Sequence, residues 1–324
     1  MNLSHLPRAA QSGLVVLLYL VALPCLARTQ DVRPLAGHRG AVTAVAFRSD
    51  GERLASASFD HTIRVWDVAE AKHALTCKGH QNKVTALTYR PDGGMLASAG
   101  LDHTIRLWDA ETGKCRARLV TRERCIQAMT FTPDGRSLLC AGESGTVEVW
   151  DVFTRRPVRR IEVSRSPLFA LAVSPDGGSF AAAGQDGTIH LHRCATGDAV
   201  VTLPGHLDDV FSLAYSPDGR RIVSAGHDGS VRLWQIDKRK QIARYEGACG
   251  VISQVRLSDD GRRIVSASVD GQVFIRDATT GNVLHSHRFP GKTLCAAITP
   301  DGIHVGTGTA QAGCYLMALP RRVR

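Results

Sequence analysis

An Asp, a His and a Ser at fixed spacing are the raw material of acyl transfer: a hydroxyl nucleophile, an imidazole to take its proton and a carboxylate to orient the imidazole. The stretch FDHTIRVWD at residues 59–67 returns as LDHTIRLWD at 101–109, each copy with a Ser just upstream and a second His further back. A hydrolase needs one such set, exposed beside an oxyanion hole and aimed at one reacting atom. Here the set recurs along the chain, and each time its Ser lies inside a strand-like run. The same residue types therefore read as structural and not as a nucleophile with its base.

What positions them is a repeat. Trp66, Trp108 and Trp150 are 42 residues apart, His192, Trp234 and Arg276 follow at the same step, and the Asp-Gly pairs beginning at Asp50, Asp92, Asp134, Asp176, Asp218 and Asp260 keep time with them. A seventh unit, from Asp301 to Met317, arrives one residue early. A period of about 40 to 45 residues marks an array in which each unit buries its faces only against its neighbours. Seven such units account for residues 31–324, which overrides the two domains that length alone suggests.

Within a unit, short runs such as AVTAVAF, LASAS and IRVWD alternate at period two and are separated by turns such as RSDGER and FDHT. SPDGR and its variants suit a tight hairpin, with Pro fixing the entry and Gly taking positive φ. One face of the first strand carries small residues (Ala44 and Ala46, Ala86 and Thr88, Ala170 and Ala172, Ser212 and Ala214), the taper expected of blades converging on an axis. The seventh unit lacks a fourth strand, and residues 31–36 are one strand left over. Pairing the two removes an open edge, and Pro34 is tolerable on an outermost strand. The expected fold is all-β, a ring of seven four-stranded antiparallel blades closed by the N-terminal strand.

Gly-His at Gly37-His38, Gly79-His80 and Gly205-His206, with Trp-Asp at Trp66-Asp67, Trp108-Asp109 and Trp150-Asp151, make the chain resemble the WD-repeat β-propellers over residues 31–324. The resemblance implies a buried tetrad of His, Ser or Thr, Asp and Trp in each blade. His38, Ser56, Asp60 and Trp66 match it in blade 1, His80, Ser98, Asp102 and Trp108 in blade 2, and His206, Ser224, Asp228 and Trp234 in blade 5. It also implies that the residue before the turn Asp and the residue entering the first strand face the top of the ring. These are Phe59 and Ala41, Leu101 and Lys83, Val269 and Val251, with Ala310 from blade 7: an apolar sector expected to bind a partner. Glu143, Gln185, His227 and Asp209 stand across the ring as a polar one.

The remaining blades depart from the pattern. Blade 3 offers Arg122, Cys140 and Ser144; blade 4 has Ser164, Ala182 and His192 around Asp186; blade 7 has Thr307, Gln311 and Met317. Blade 6 keeps Ser266 and Asp270 but has Ala248 for His and Arg276 for Trp. A guanidinium has five donors in a rigid fork, so Arg276 is expected to pair directly with Asp270 and replace both missing donors.

Other chemistry is sparse. There is no C-x-x-C pair, Walker loop, dinucleotide fingerprint or nucleophile elbow. Cys140, Cys295 and Cys314 fall in expected strands, so buried free thiols are favoured over a disulfide framework. His190 with His192, and His285 with His287, could share a strand face, but no third ligand is placed beside either pair. No metal, cofactor or catalytic residue is assigned. The chain carries 40 Lys and Arg against 30 Asp and Glu, a net charge of +10. RRPVRR at 155–160, KRKQIAR at 238–244 and the terminal RRVR concentrate that charge. Solvated edge protection is the simpler reading, an acidic partner or anionic surface the other.

Residues 1–27 read as a secretory signal: Arg8, the apolar run GLVVLLYLVALPC, and small residues for cleavage after Ala27. The run falls short of the roughly 20 residues that span a bilayer. The expectation is one propeller over 28–324, exported to a periplasm or beyond the cell, with no nucleic acid among its partners. It would be a monomeric, non-catalytic scaffold for a protein or peptide. The alternative is a secreted propeller enzyme or small-ligand binder using the axial funnel.

Overall fold

A computed structural model describes residues 31–246 and 250–319. The expected signal segment, Ala248 and residues 320–324 lie outside them. The described residues form strands and turns only, with no helix. The strands make seven antiparallel four-stranded sheets, six of consecutive strands and one joining the first strand to the last three, so the seven-bladed propeller expected from the repeat is the architecture found. Blade 1 runs outward through Val42–Phe47, Arg53–Ser58, Thr62–Asp67 and Lys72–Lys78, and the pattern repeats.

The turns follow from their residues. In the hairpin at 132–136, Gly135 takes φ +67° and its amide donates to Thr132 O at 2.8 Å. Asp134 Oδ1 accepts from the Thr132 hydroxyl at 2.6 Å and the Arg136 amide at 3.0 Å. His61 and His103, the histidines inside the recurring stretch, hold turn positions at φ 69° and 56°, where blades 3 to 6 carry Gly.

The core is divided. Seven apolar clusters lie between the blades, one at each junction. At the junction of blades 7 and 1, Val42, Leu54 and Trp66 meet Cys295, Ala297 and Leu316. Second strands such as Leu54–Ala57 are wholly buried, because they are covered on both faces.

The ring is fastened by the N-terminal strand Val32–Pro34, which pairs antiparallel with the last strand, Cys314–Ala318, in register Val32↔Met317, Arg33↔Leu316 and Pro34↔Tyr315. The Leu35 amide adds a bond to Cys314 O at 2.8 Å, and the Leu35 side chain is buried. Blade 7 is therefore built from both ends of the described chain.

Each innermost strand is bulged at its second residue. The register slips between Val42 and Ala44, and equivalently in all seven blades. A bulge kinks its strand and re-aims one side chain. Thr43, Thr85 and Ser253 at this position donate to the first residue of the next blade's strand: Thr43 Oγ1 to Val84 O at 2.8 Å, Thr85 Oγ1 to Ile126 O at 2.7 Å and Ser253 Oγ to Thr293 O at 3.1 Å.

Because the fastening strand supplies the fourth strand of blade 7, a chain starting at Gly40 leaves the edge at Cys314–Ala318 bare. It is expected to lose cooperative unfolding or to aggregate, whereas one starting at Arg28 unfolds as the full chain does. Circular dichroism during heating with light scattering checks this, and equal behaviour of the two chains contradicts it.

Candidate functional site at the upper mouth of the channel

The complete tetrads are within hydrogen-bonding geometry in three blades. In blade 1 the His38 ring lies 2.8 Å from Asp60 through Nδ1 and 2.8 Å from Ser56 Oγ through Nε2, and Trp66 Nε1 donates to Ser56 Oγ at 2.8 Å. Blade 2 repeats this with His80 to Asp102 at 3.0 Å, His80 to Ser98 at 2.7 Å and Trp108 to Ser98 at 2.8 Å. In blade 5 His206 lies 3.0 Å from Asp228 and 2.7 Å from Ser224, and Trp234 donates to Ser224 at 2.7 Å. The carboxylate requires the proton on Nδ1, so Nε2 accepts from the hydroxyl. This is the donor order of a hydrolase, but Ser56, Ser98 and Ser224 are fully buried, with no face open to a substrate.

The carboxylates are held ionised. Burial tends to raise the Asp102 carboxyl, but the Gln81 amide, the Thr104 hydroxyl and His80 outweigh it and bring it down to about 2. Asp60 and Asp228 are lowered in the same way against the same burial. Burial depresses the His80 and His206 imidazoles, with Asp102 and Asp228 only partly opposing it.

Where the pattern lapses, the structure departs from several expectations. In blade 3 Arg122 is exposed and the buried residue is its neighbour, Glu123. Glu123 accepts from the Ser144 hydroxyl and amide and from Thr146 Oγ1 at 2.8 Å. Glu148, also buried, accepts from Trp150 Nε1 at 3.2 Å and Thr121 Oγ1 at 2.7 Å. Cys140, in the Ser position, has its thiol pushed well up by burial and then by these two carboxylates. In blade 4 Asp186 takes both Ser164 and His190 at 2.8 Å, while His192 turns to Gly197 O and stacks on Phe180. His190 and His192 thus have separate partners, and no group of three metal-ligating side chains occurs among the described residues.

The expected ion pair of Arg276 with Asp270 does not form. Arg276, buried, donates to Gly281 O at 3.2 Å and Glu246 O at 3.0 Å and lies over the Phe274 ring. Asp270 is met by the Gln272 amide at 3.1 Å and by the exposed Arg288 at 3.4 Å. In a complete tetrad Trp and Asp never touch; Ser and His bridge them. An arginine at the Trp position inherits that separation and finds nearer backbone carbonyls first.

The seven innermost strands surround an axial channel. Its upper mouth, the end at which the chain enters those strands, is a cavity of about 590 Å³. Of the residues expected at the top, Phe59, Leu101, Val251 and Val269 line it, and Ala41, Lys83 and Ala310 do not. Backbone bonds from Phe59 N to Ala41 O, Leu101 N to Lys83 O and Val269 N to Val251 O hold each pair together at 2.8–2.9 Å. The Lys83 ammonium sits 4.5 Å over the Phe59 ring.

Most of the rest of the lining comes from the bulge position: Thr43, Thr85, Gln127, Phe169, Phe211, Ser253 and Leu294, with Cys125 and Gln254 beside them. Phe169 and Phe211 pack at 5.6 Å, and Phe211 meets His227 edge-on at 6.2 Å. Apolar surface therefore extends into blades 4 and 5. His227 is the one member of the expected polar sector that joins the lining, its Nδ1 2.7 Å from Asp208. The sequence signal for the aromatic pair was the second residue of each first strand, whose direction depends on a bulge that simple alternation does not show. RRPVRR and KRKQIAR contribute outermost strands, Arg156–Glu162 and Lys240–Glu246.

A family model for the WD domain, G-beta repeat, matches residues 29–67, 71–109, 113–151, 155–193, 197–235 and 239–277, and the chain belongs to that family. Each match begins with the outermost strand of one blade and continues through three strands of the next. Among curated proteins, the chain is 49% identical over 39 residues to the Periodic tryptophan protein 2 homolog of Schizosaccharomyces pombe, covering 12% of this chain and 5% of that protein. It is 48% identical over 44 residues to the Notchless protein homolog of Arabidopsis thaliana, covering 14% of this chain and 9% of that one. WD-repeat propellers are typically protein-interaction scaffolds without catalysis of their own.

Ser98→Ala strands the Trp108 indole and the His80 ring in a buried site, a cost of about 2 kcal/mol or more. Arg276→Met removes a buried cation that has no carboxylate partner and is expected to change stability by less than about 1 kcal/mol. Urea unfolding of both variants checks the contrast, and a larger loss for Arg276→Met than for Ser98→Ala contradicts it.

The same geometry sets a pH dependence. His80 and His206 are lowered from 6.5, so below that value the unfolded chain takes up protons that the folded one refuses, and stability falls with pH. A second loss begins below 3.8 and runs through the folded Asp102 value of about 2. The urea midpoint is expected to be lower at about pH 5.5 than at about 7.5, with a smaller drop in His80→Gln. A flat midpoint between the two contradicts it.

Proposed function

We propose that the protein is a non-catalytic scaffold that takes an apolar side chain or short segment of a partner protein into the upper mouth of its channel. The observation that carries the reading is the lining itself: Phe59, Leu101, Phe169, Phe211, Val251 and Val269 around one opening, with Phe59 at 36% exposure. Aromatic anchors at the centre of a patch with polar neighbours are where binding energy concentrates. Lys83, Gln127, His227 and Asp208 supply the rim. The buried tetrads argue against a catalytic role for the Ser, His and Asp residues. Export through residues 1–27 is part of the proposal.

The alternative, a small-ligand site in the same mouth, draws on its depth and about 590 Å³ volume. A photoreactive phenylalanine analogue at Leu101 separates the readings. A protein partner gives a discrete protein adduct in cells, absent when the analogue is placed at the outer-edge Phe153. Recovery of the adduct is expected to fall by about tenfold with Phe59→Ala and Phe211→Ala together, the loss of two anchor residues. A folded protein that yields no adduct, or one indifferent to both substitutions, removes the mouth as the docking site.

A further inference from the structure

The fifth residue of the innermost strand is small in six blades: Ala46, Thr88, Thr130, Ala172, Ala214 and Ala297. In blade 6 it is Arg256. Two residues earlier the column is Ala, Ser or Cys elsewhere and Gln254 in blade 6. One blade thus places a guanidinium and an amide where the other six leave room, at the wall of the channel. Arg256 lines both the lower funnel, about 640 Å³, and a chamber of about 90 Å³ directly above it.

The groups around the guanidinium are neutral. Nη1 donates to Val255 O at 3.1 Å and lies 3.3 Å from Ser212 Oγ and 3.5 Å from Leu213 O. The Gln254 amide oxygen, turned toward the fork, is 2.7 Å from both Nη1 and Nη2. Among the described residues no ion pair includes Arg256; Asp259, at the funnel wall, forms none with it. Burial pushes the guanidinium down to about 10, with only the Cys295 thiol opposing. Arg256 is half-buried, a cation partly withdrawn from water with no counter-charge beside it, and a planar guanidinium matches the two oxygens of a carboxylate or phosphate.

We propose that the chamber at the apex of the lower funnel is a second ligand site, which binds an oxyanion group on Arg256 and Gln254. A carboxylate fits best, because the chamber behind the fork accommodates only a few atoms while the funnel below admits the chain that bears it. The site requires no covalent step. Of its two residues, Gln254 also lines the upper mouth and Arg256 does not.

The test uses the full chain labelled with nitrogen-15 and follows the arginine side-chain Nε–H resonances, that of Arg256 being identified by its loss in Arg256→Gln. Acetate and inorganic phosphate are titrated at constant ionic strength against chloride. Acetate is expected to shift the Arg256 resonance saturably in the millimolar range, with phosphate weaker. In Gln254→Ala the acetate affinity is expected to fall at least about fivefold, from loss of the group that orients the fork. A phosphate preference would keep the oxyanion site and reassign its ligand from carboxylate to phosphate. Absent or unsaturable shifts with both anions, in a chain whose heat unfolding is normal, overturn the site and leave Arg256 as a plug satisfied by neutral partners. Equal acetate affinity in wild type and Gln254→Ala overturns the assigned geometry.

Discussion

Everything in this ring depends on the packing of one blade against the next. A four-stranded sheet of this length has two apolar faces and no means of covering either alone; the seven clusters at the blade junctions are the core, distributed. The indole at the end of the third strand ties this packing to the polar network within the blade. Trp66 gives its N–H to Ser56 in blade 1 while its ring fills the junction with blade 7. Trp108 and Trp234 do the same at the junctions behind blades 2 and 5. Misplacing the ring would take from the hydroxyl oxygen its indole donor, and losing the hydroxyl would leave a buried N–H. Local polarity and inter-blade packing therefore enforce one another.

That coupling explains how the irregular blades survive. What each must preserve is a filled junction and satisfied buried polar atoms, and the repeat's own four residues are one solution among several. Blade 3 keeps Trp150 in the junction and gives its N–H to Glu148, with a second carboxylate, Glu123, capping the turn. Blade 4 fills with Phe180, against which His192 stacks. Blade 7 fills with Met317, which has no polar atom needing a donor.

The 42-residue step, the period-two runs and the leftover strand at 31–36 made the ring and its closure legible, because each is a one-dimensional pattern with one compact three-dimensional answer. The three regular tetrads were legible for the same reason: four residue types at fixed offsets on adjacent strands. Glu123 was not, since a shift of one position at an irregular loop decides whether Arg122 or Glu123 turns inward. Arg276 was misjudged because donor capacity was weighed without distance: the Trp position is two side chains away from the Asp position. Phe169 and Phe211 escaped because a bulge alters which way a residue faces without altering the apolar pattern. Arg256 was visible in principle as the odd member of a column of small residues, but its meaning depended on knowing that the column borders a channel.

The fastening strand also has a temporal meaning. Val32–Pro34 are made before the six blades that precede their partners Tyr315–Met317 in the chain. Contacts this distant in sequence are slow to form, and this one cannot form until every strand between the two has emerged. Until then the first strand has no mate and the growing array carries an open side at each end. A chain of this design spends its synthesis as an incomplete arc, during which exposed edges invite wrong pairing. Strand Cys314–Ala318 completes the blade that Val32–Pro34 began.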